Sequence, residues 1–251
     1  MAEQRKKFKS PPKRFQPRGL TILYEDHDVL VADKASGLLT IGTDKVTENT
    51  AYSLLNQYVR KGNPKSHRQV YVVHRLDRDI SGVIVFAKTE KAKGFLLNQW
   101  QEFPKQYIAV VLGKPPEKEG VLTAYLAENK AHKMYAVKDP SKGKLAKTGY
   151  KLLKETANHS LLELKLLTAC KNQLRAHCSE AGFPVAGDKI YGERDKSVER
   201  LTLHSASVTI KHPHSQEEMT FESKTPKYFT TVLSGDAAKL YNNLQAKRRK
   251  N

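Results

Sequence analysis

Cysteine, tryptophan and methionine are scarce here, at 2, 1 and 3 of 251 residues. Cys170 and Cys178 are too few for a disulfide framework and do not form a CxxC pair. The chain therefore fits a reducing compartment and lacks the ligands of a structural zinc site. No apolar run approaches the ~18 residues that a membrane span needs. The opening stretch MAEQRKKFKSPPKR has no apolar signal core, so a cytoplasmic location is expected. The nucleotide fingerprints GxGxxG and GxxxxGK[ST] are missing, as is the GxSxG elbow of serine hydrolases. His212-Pro213-His214 invites a metal reading, but Pro213 breaks a strand ladder, so a turn between strands explains it better. No metal, no nucleotide cofactor and no membrane partner are expected.

Acid is also in short supply. Asp and Glu number 26 against 44 Lys and Arg, a formal net charge of +18. Residues 1–19 carry Arg5, Lys6, Lys7, Lys9, Lys13, Arg14 and Arg18 against Glu3 alone, and the chain closes on KRRKN. Such a balance favours a polyanion, with RNA or DNA foremost, because neutralising phosphates releases counterions. Solvated tails that aid solubility would carry the same charge. The tail 1–19 has almost no apolar content and reads as disordered. The organisation expected is a basic tail at 1–19, one catalytic body at 20–245 and a basic tail at 246–251.

Within the body, LTILYE and VLVADK read as strands around a turn at Asp26 to Asp28. Ala51, Leu54, Leu55, Tyr58 and Val59 recur at helical spacing, behind Asn49 or Thr50 as cap, and predict a helix over 49–60. VYVV (70–73) and GVIVFA (82–87) are continuous apolar runs, as buried strands require. A helix is expected over about 89–101, and YIAVVL (107–112) reads as a central strand. Three or four strands fit residues 120–165. A further helix fits 172–181, stopped by Gly182 and Pro184. Two strands follow, and 227–245 reads as helical. Strands outnumber helices without a βαβ rhythm. The fold class expected is α+β, a mixed and mostly antiparallel sheet flanked by helices around a catalytic cleft.

Two clusters carry candidate chemistry. His74-Arg75-Leu76-Asp77-Arg78-Asp79 lies between two apolar strands, at a sheet end where a loop can face a cleft. It reads either as a salt-bridged turn or as a carboxylate held among cations. In the second case nearby arginine favours the ionised form, and such a carboxylate serves as nucleophile or base. The second cluster is 168–188. There Arg175 lies off the apolar stripe of a helix, beside its N-terminus, which favours anions. An ordinary surface arginine is the alternative.

HRLDRDISGVIVFAK (74–88) resembles the catalytic signature of RluA-type pseudouridine synthases. ILYEDHDVLVADKASGLLT (22–40), KQYIAVVLG (105–113), QLRAHCSEAGFPVAGDKIYG (173–192) and LHSASVTIKHP (203–213) resemble further blocks of that family, in its order. The resemblance implies the pseudouridine synthase fold and cofactor-free isomerisation of uridine in RNA, ribosomal or transfer. A monomer is expected, although no feature of the sequence reports the oligomeric state. Asp77 matches the essential carboxylate, which acts on the ribose anomeric carbon or on the base, or assists glycal formation. Tyr107 would lie against the flipped uracil, and Arg175 would pair with the carboxylate. His74, Arg75, Arg78, Lys105, Lys171 and Gln173 would contact RNA. Many relatives have T-G-R-x-H where this chain has Thr168-Ala169-Cys170-Lys171-Asn172, leaving Lys171 as the cation there. That departure keeps open a second reading, an inactive RNA-binding or assembly factor.

Overall fold

The computed structural model describes residues 10–42, 47–63, 65–192 and 198–234. Its elements, in chain order, are β1 (Leu20–Glu25), β2 (Val29–Lys34), α1 (Ala51–Arg60), β3 (Tyr71–Val72), β4 (Ser81–Ala87), α2 (Glu90–Gln99), β5 (Lys105–Leu112), β6 (Glu119–Glu128), β7 (Met134–Val137), β8 (Lys144–Glu155), β9 (His159–Leu166), α3 (Gln173–Glu180), β10 (Leu203–Lys211), β11 (Glu218–Glu222) and α4 (Lys227–Leu233). The class is α+β, and every pairing with a resolved register is antiparallel. The chain divides into two compact units, 1–103 with 207–223 and 104–206 with 224–251.

In the first unit the strand order is β1-β2-β4-β10, with β3 also on β4 and β11 on β10. All residues of β4 are buried, which explains its uninterrupted apolar sequence. Val31, Val83, Val85, Leu96, Val208 and Ile210 form much of the core. The helix α1 starts on a reciprocal cap. The Thr50 hydroxyl accepts the Ser53 N–H, and Ser53 Oγ accepts the Thr50 N–H. Thr89 caps α2 by accepting the Ala92 N–H at 3.1 Å.

In the second unit the order is β5-β9-β8-β6-β7. One core gathers Val110, Ala186, Phe229 and Val232, and another gathers Leu126, Met134, Ala146, Ala176 and Tyr191. Gly187 sits at φ +75°, and a Cβ there would come within 2.2 Å of the Arg200 carbonyl oxygen. Only glycine fits both the backbone and the space, so the turn before Asp188 is set by its neighbour.

Some expectations change. Residues 10–19, expected to be disordered, are tied to β1. Lys13–Phe15 form a 3₁₀ turn. Ser10 Oγ donates to the Ile22 carbonyl at 2.6 Å, and Gln16 Oε1 accepts the Ile22 N–H at 2.8 Å. These polar side chains satisfy the edge of β1, a role that low apolar content does not signal. The strand expected over 70–73 is only Tyr71–Val72. The helix expected over 227–245 covers Lys227–Leu233, and its remainder lies outside the described residues, as do residues 1–9 and the C-terminal tail. Among the described residues no helix is long and apolar enough to cross a membrane.

Candidate active site

The expected site residues fall in two sets. His74, Arg75, Asp77 and Arg78 share the β3–β4 loop of the first unit, while Lys105, Tyr107, Lys171, Gln173 and Arg175 belong to the second.

The β3–β4 loop presents Asp77 to solvent between two buried residues, Leu76 and Ile80. Its backbone is held by the last residue of β2 and the segment that follows it. Lys34 is fully buried, and its Nζ donates to the carbonyls of Arg78 at 3.1 Å, Leu38 at 2.7 Å and Ala35 at 3.1 Å. Ser36 Oγ donates to the Asp79 carbonyl at 2.9 Å, and the Gly37 N–H donates to the Arg78 carbonyl at 2.8 Å. Thr40 Oγ1 donates to the Leu76 carbonyl at 2.7 Å and accepts the Leu76 N–H at 3.2 Å. The loop closes on itself where the Ile80 N–H meets the Asp77 carbonyl at 3.1 Å. Burial pulls the Lys34 ammonium down to about 8, against the opposing attraction of Asp79, Asp77 and Asp33. A buried ammonium is stable only when its donors are used and acids lie near, and this one has both. Asp77 is thus an exposed carboxylate on a backbone pinned at the residues on either side of it.

His74 opens the loop. Its Nε2 accepts the Val85 N–H at 2.9 Å, and its ring stacks on Trp100 at 4.2 Å between centroids. An accepting nitrogen locked to β4 makes His74 an anchor of the loop. Arg75 and Arg78 are exposed, and Arg78 Nε lies 3.2 Å from Asp79 Oδ1.

In the second unit, Tyr107 is buried on β5 opposite Leu164. Arg175, in the first turn of α3, is also buried. Its Nε donates to Asp188 Oδ2 at 2.6 Å and its Nη2 to Asp188 Oδ1 at 2.7 Å, and its guanidinium lies 5.0 Å from the Tyr191 ring centroid. Asp188 Oδ1 also accepts the N–H groups of Ile190 and Tyr191. Burial opposes the charge of Asp188, but the guanidinium and these two N–H groups outweigh it and hold its carboxyl below the usual range. Asp188 lies within the stretch QLRAHCSEAGFPVAGDKIYG, where no local sequence signal marks it as the partner of an arginine thirteen residues earlier.

The three remaining residues expected to contact RNA, Lys105, Gln173 and Lys171, differ in exposure. Lys105 is buried, and desolvation draws its ammonium down to about 8. Gln173 is buried: its Nε2 donates to Lys147 O and Thr148 Oγ1, and its Oε1 accepts from Thr168 Oγ1. Its amide ties the α3 start to β8. Lys171 is exposed and paired with Glu128. Among the described residues no group of three or more His, Cys, Asp or Glu is placed to hold a metal ion.

Comparison with known proteins bears on the same segments. Residues 28–180 match the family described as RNA pseudouridylate synthase, a span that includes both the Asp77 loop and Arg175. The ribosomal large subunit pseudouridine synthase D of Nitrosomonas europaea is 32% identical over 228 residues, 85% of this chain and 64% of that protein. An uncharacterized RNA pseudouridine synthase of Mycoplasma pneumoniae is 32% identical over 247 residues, 95% of this chain and 78% of that one. The solved structure of human RNA pseudouridylate synthase domain containing 1 superposes with a TM-score of 0.67 at 26% identity, covering 86% of each chain. With its pinned Asp77 loop inside the matched span, this chain belongs to the RNA pseudouridylate synthase family.

Proposed function

We propose that this protein isomerises uridine to pseudouridine within RNA, with Asp77 as the catalytic carboxylate. The observation that carries the proposal is the Asp77 loop: an exposed carboxylate whose flanking backbone is fixed by buried Lys34, Thr40 and the Ser36–Gly37 turn. Preorganisation of this kind is what a reacting carboxylate needs, because a group held in place loses little freedom in the transition state.

The reaction is an isomerisation, and the composition of the nucleoside is unchanged. The bond from ribose C1′ to N1 breaks, the uracil turns, C1′ joins C5, and the C5 proton is released while N1 gains one. A stacked base cannot turn, so the uridine leaves its helix at a cost of a few kcal/mol. Asp77 assists the cleavage of the glycosidic bond. Tyr107 lies against the extruded uracil and takes part in removal of the C5 proton. Arg75 and Arg78, on the same loop as Asp77, meet the RNA around it, and the family resemblance gives Arg175 a supporting part in the reaction. Relatives named for the ribosomal large subunit support ribosomal RNA as the substrate class.

The test is release of tritium from RNA labelled at uracil C5. Wild type releases label and Asp77→Ala does not. Equal release from both rejects the assignment. Pseudouridine mapping on RNA from cells lacking the protein then identifies the target. Loss of a site in large-subunit RNA supports the ribosomal reading, and loss confined to transfer RNA overturns it.

A further inference from the structure

The last residue of α1 and the connection to β3 carry Arg60, Lys61, Lys65 and Arg68, with His67 among them, and no acidic residue occurs between Glu48 and Asp77. All four cations are exposed, and none makes an ion pair among the described residues. A run of cations is usually a solvated face. This one is built into a turn. Arg60 Nε donates to the Arg68 carbonyl at 3.3 Å, the Asn63 N–H to the Arg60 carbonyl at 3.0 Å, and the Lys65 N–H to Asn63 Oδ1 at 3.0 Å. Lys61 sits in the left-handed region at φ 51°, which turns the chain at the end of α1. The cost of gathering like charges on an ordered turn falls when an anion lies between them.

A hollow of about 600 Å³ opens beside this turn, lined by Lys61, Arg68, Tyr58, Glu25 and Lys88 among others. Its acids are committed to internal donors. Glu25 accepts from Lys88 Nζ at 2.7 Å and from the Tyr58 hydroxyl at 3.0 Å. Asp26 accepts the N–H groups of Asp28 and Val29, the Tyr24 hydroxyl and His212 Nε2. The unmatched charge at the rim is therefore positive.

The turn and the Asp77 loop lie at opposite ends of the same strand. The Asp77 loop runs into Ser81 at the start of β4, and Lys88 follows its end. Seven residues of strand cover roughly 20 Å. That is several nucleotides along an RNA backbone, beyond the extruded residue and its neighbours.

We propose that Arg60, Lys61, Lys65 and Arg68 form a second RNA contact, a phosphate-binding rim that seats the backbone several nucleotides from the target uridine. The inference rests on the RNA reading above and adds to it a surface that does no chemistry. Such contacts set register and affinity without reading sequence.

The test combines Arg60→Gln, Lys61→Gln, Lys65→Gln and Arg68→Gln in one variant and measures its binding to a large-subunit RNA fragment across salt concentrations. Each phosphate contact contributes about 0.7–0.9 to the slope of log K against log salt, so the slope falls by about 3. Single-turnover rate at saturating RNA stays within about twofold of wild type. The pair Lys61→Gln/Lys65→Gln, which leaves the Arg60–Arg68 bond intact, loses about half that slope. An unchanged slope in the fourfold variant overturns the proposal, as does a saturating rate that falls in step with affinity. A wild-type chain that binds RNA without turning it over counts against the isomerase reading, and the slope comparison still decides the rim.

Discussion

Arg175 and Asp188 meet as a two-point fork, at 2.6 and 2.7 Å, with neither side chain open to solvent. The fork fixes the plane of the guanidinium, and two backbone N–H groups fix the carboxylate in turn. Breaking a buried pair from one side leaves an uncompensated charge and costs about 3–5 kcal/mol. Asp188→Ala is expected to lose that much by urea unfolding. The double variant Arg175→Met/Asp188→Leu recovers most of the stability, since apolar replacement of both partners is often neutral. It does not recover isomerisation, if Arg175 serves the reacting carboxylate.

Lys34 supplies donors to the carbonyls of Ala35, Leu38 and Arg78. Lys34→Met keeps the bulk and strands the Ala35 and Leu38 oxygens, each at about 1–3 kcal/mol, while the Arg78 oxygen keeps the Gly37 N–H, and relief of the buried charge offsets the loss. The net loss of stability is expected to be small and the loss of kcat at least tenfold. Wild-type turnover is expected to decline above pH about 8, where burial places the Lys34 titration. A pH–rate profile flat to pH 10 would argue against this role.

Thr40 closes a reciprocal pair with Leu76, the residue before Asp77. Thr40→Val is nearly isosteric and leaves the Leu76 N–H and C=O unpaired, at a cost of about 1–3 kcal/mol. Steady-state kinetics are expected to show a lower kcat at unchanged KM, with Thr40→Ser restoring most of it.

His177 is buried, with Nδ1 2.9 Å from Thr148 Oγ1, and desolvation lowers its pKa from 6.5 to about 4. The neutral ring is the folded form, so the unfolded chain binds the extra proton between those values. Stability from this group is complete above pH 6.5 and is lost as pH falls toward 4, by up to about 3 kcal/mol. Urea unfolding at pH 7 and pH 4.5 is expected to show that drop, reduced in His177→Phe.

Much of the fold was legible because burial wrote it plainly. The apolar run of β4, the spacing Ala51, Leu55, Val59 in α1 and the stop at Gly182 each reflect one dominant local term. The candidate carboxylate was legible as a charged loop between two apolar runs. What supports it was not. Lys34, read from sequence as a strand-end lysine, is fully buried where two carbonyls of its own following turn and one from the distant Asp77 loop converge on it. The Arg175–Asp188 fork was hidden too, since Asp188 comes to Arg175 through the turn that Gly187 makes. The 10–19 segment misled because edge-strand hydrogen bonding needs polar side chains and little apolar area.

Unit one is interrupted: β4 ends at Ala87, and the strand that completes its second edge, β10, begins at Leu203. On a ribosome that partner emerges roughly 120 residues later, about 6–24 s at ordinary synthesis rates. Throughout that interval a nascent chain displays an apolar, half-paired strand, the kind of edge that recruits other strands. Chaperone occupancy and aggregation of stalled or truncated products should therefore peak for chains ending between α2 and β10.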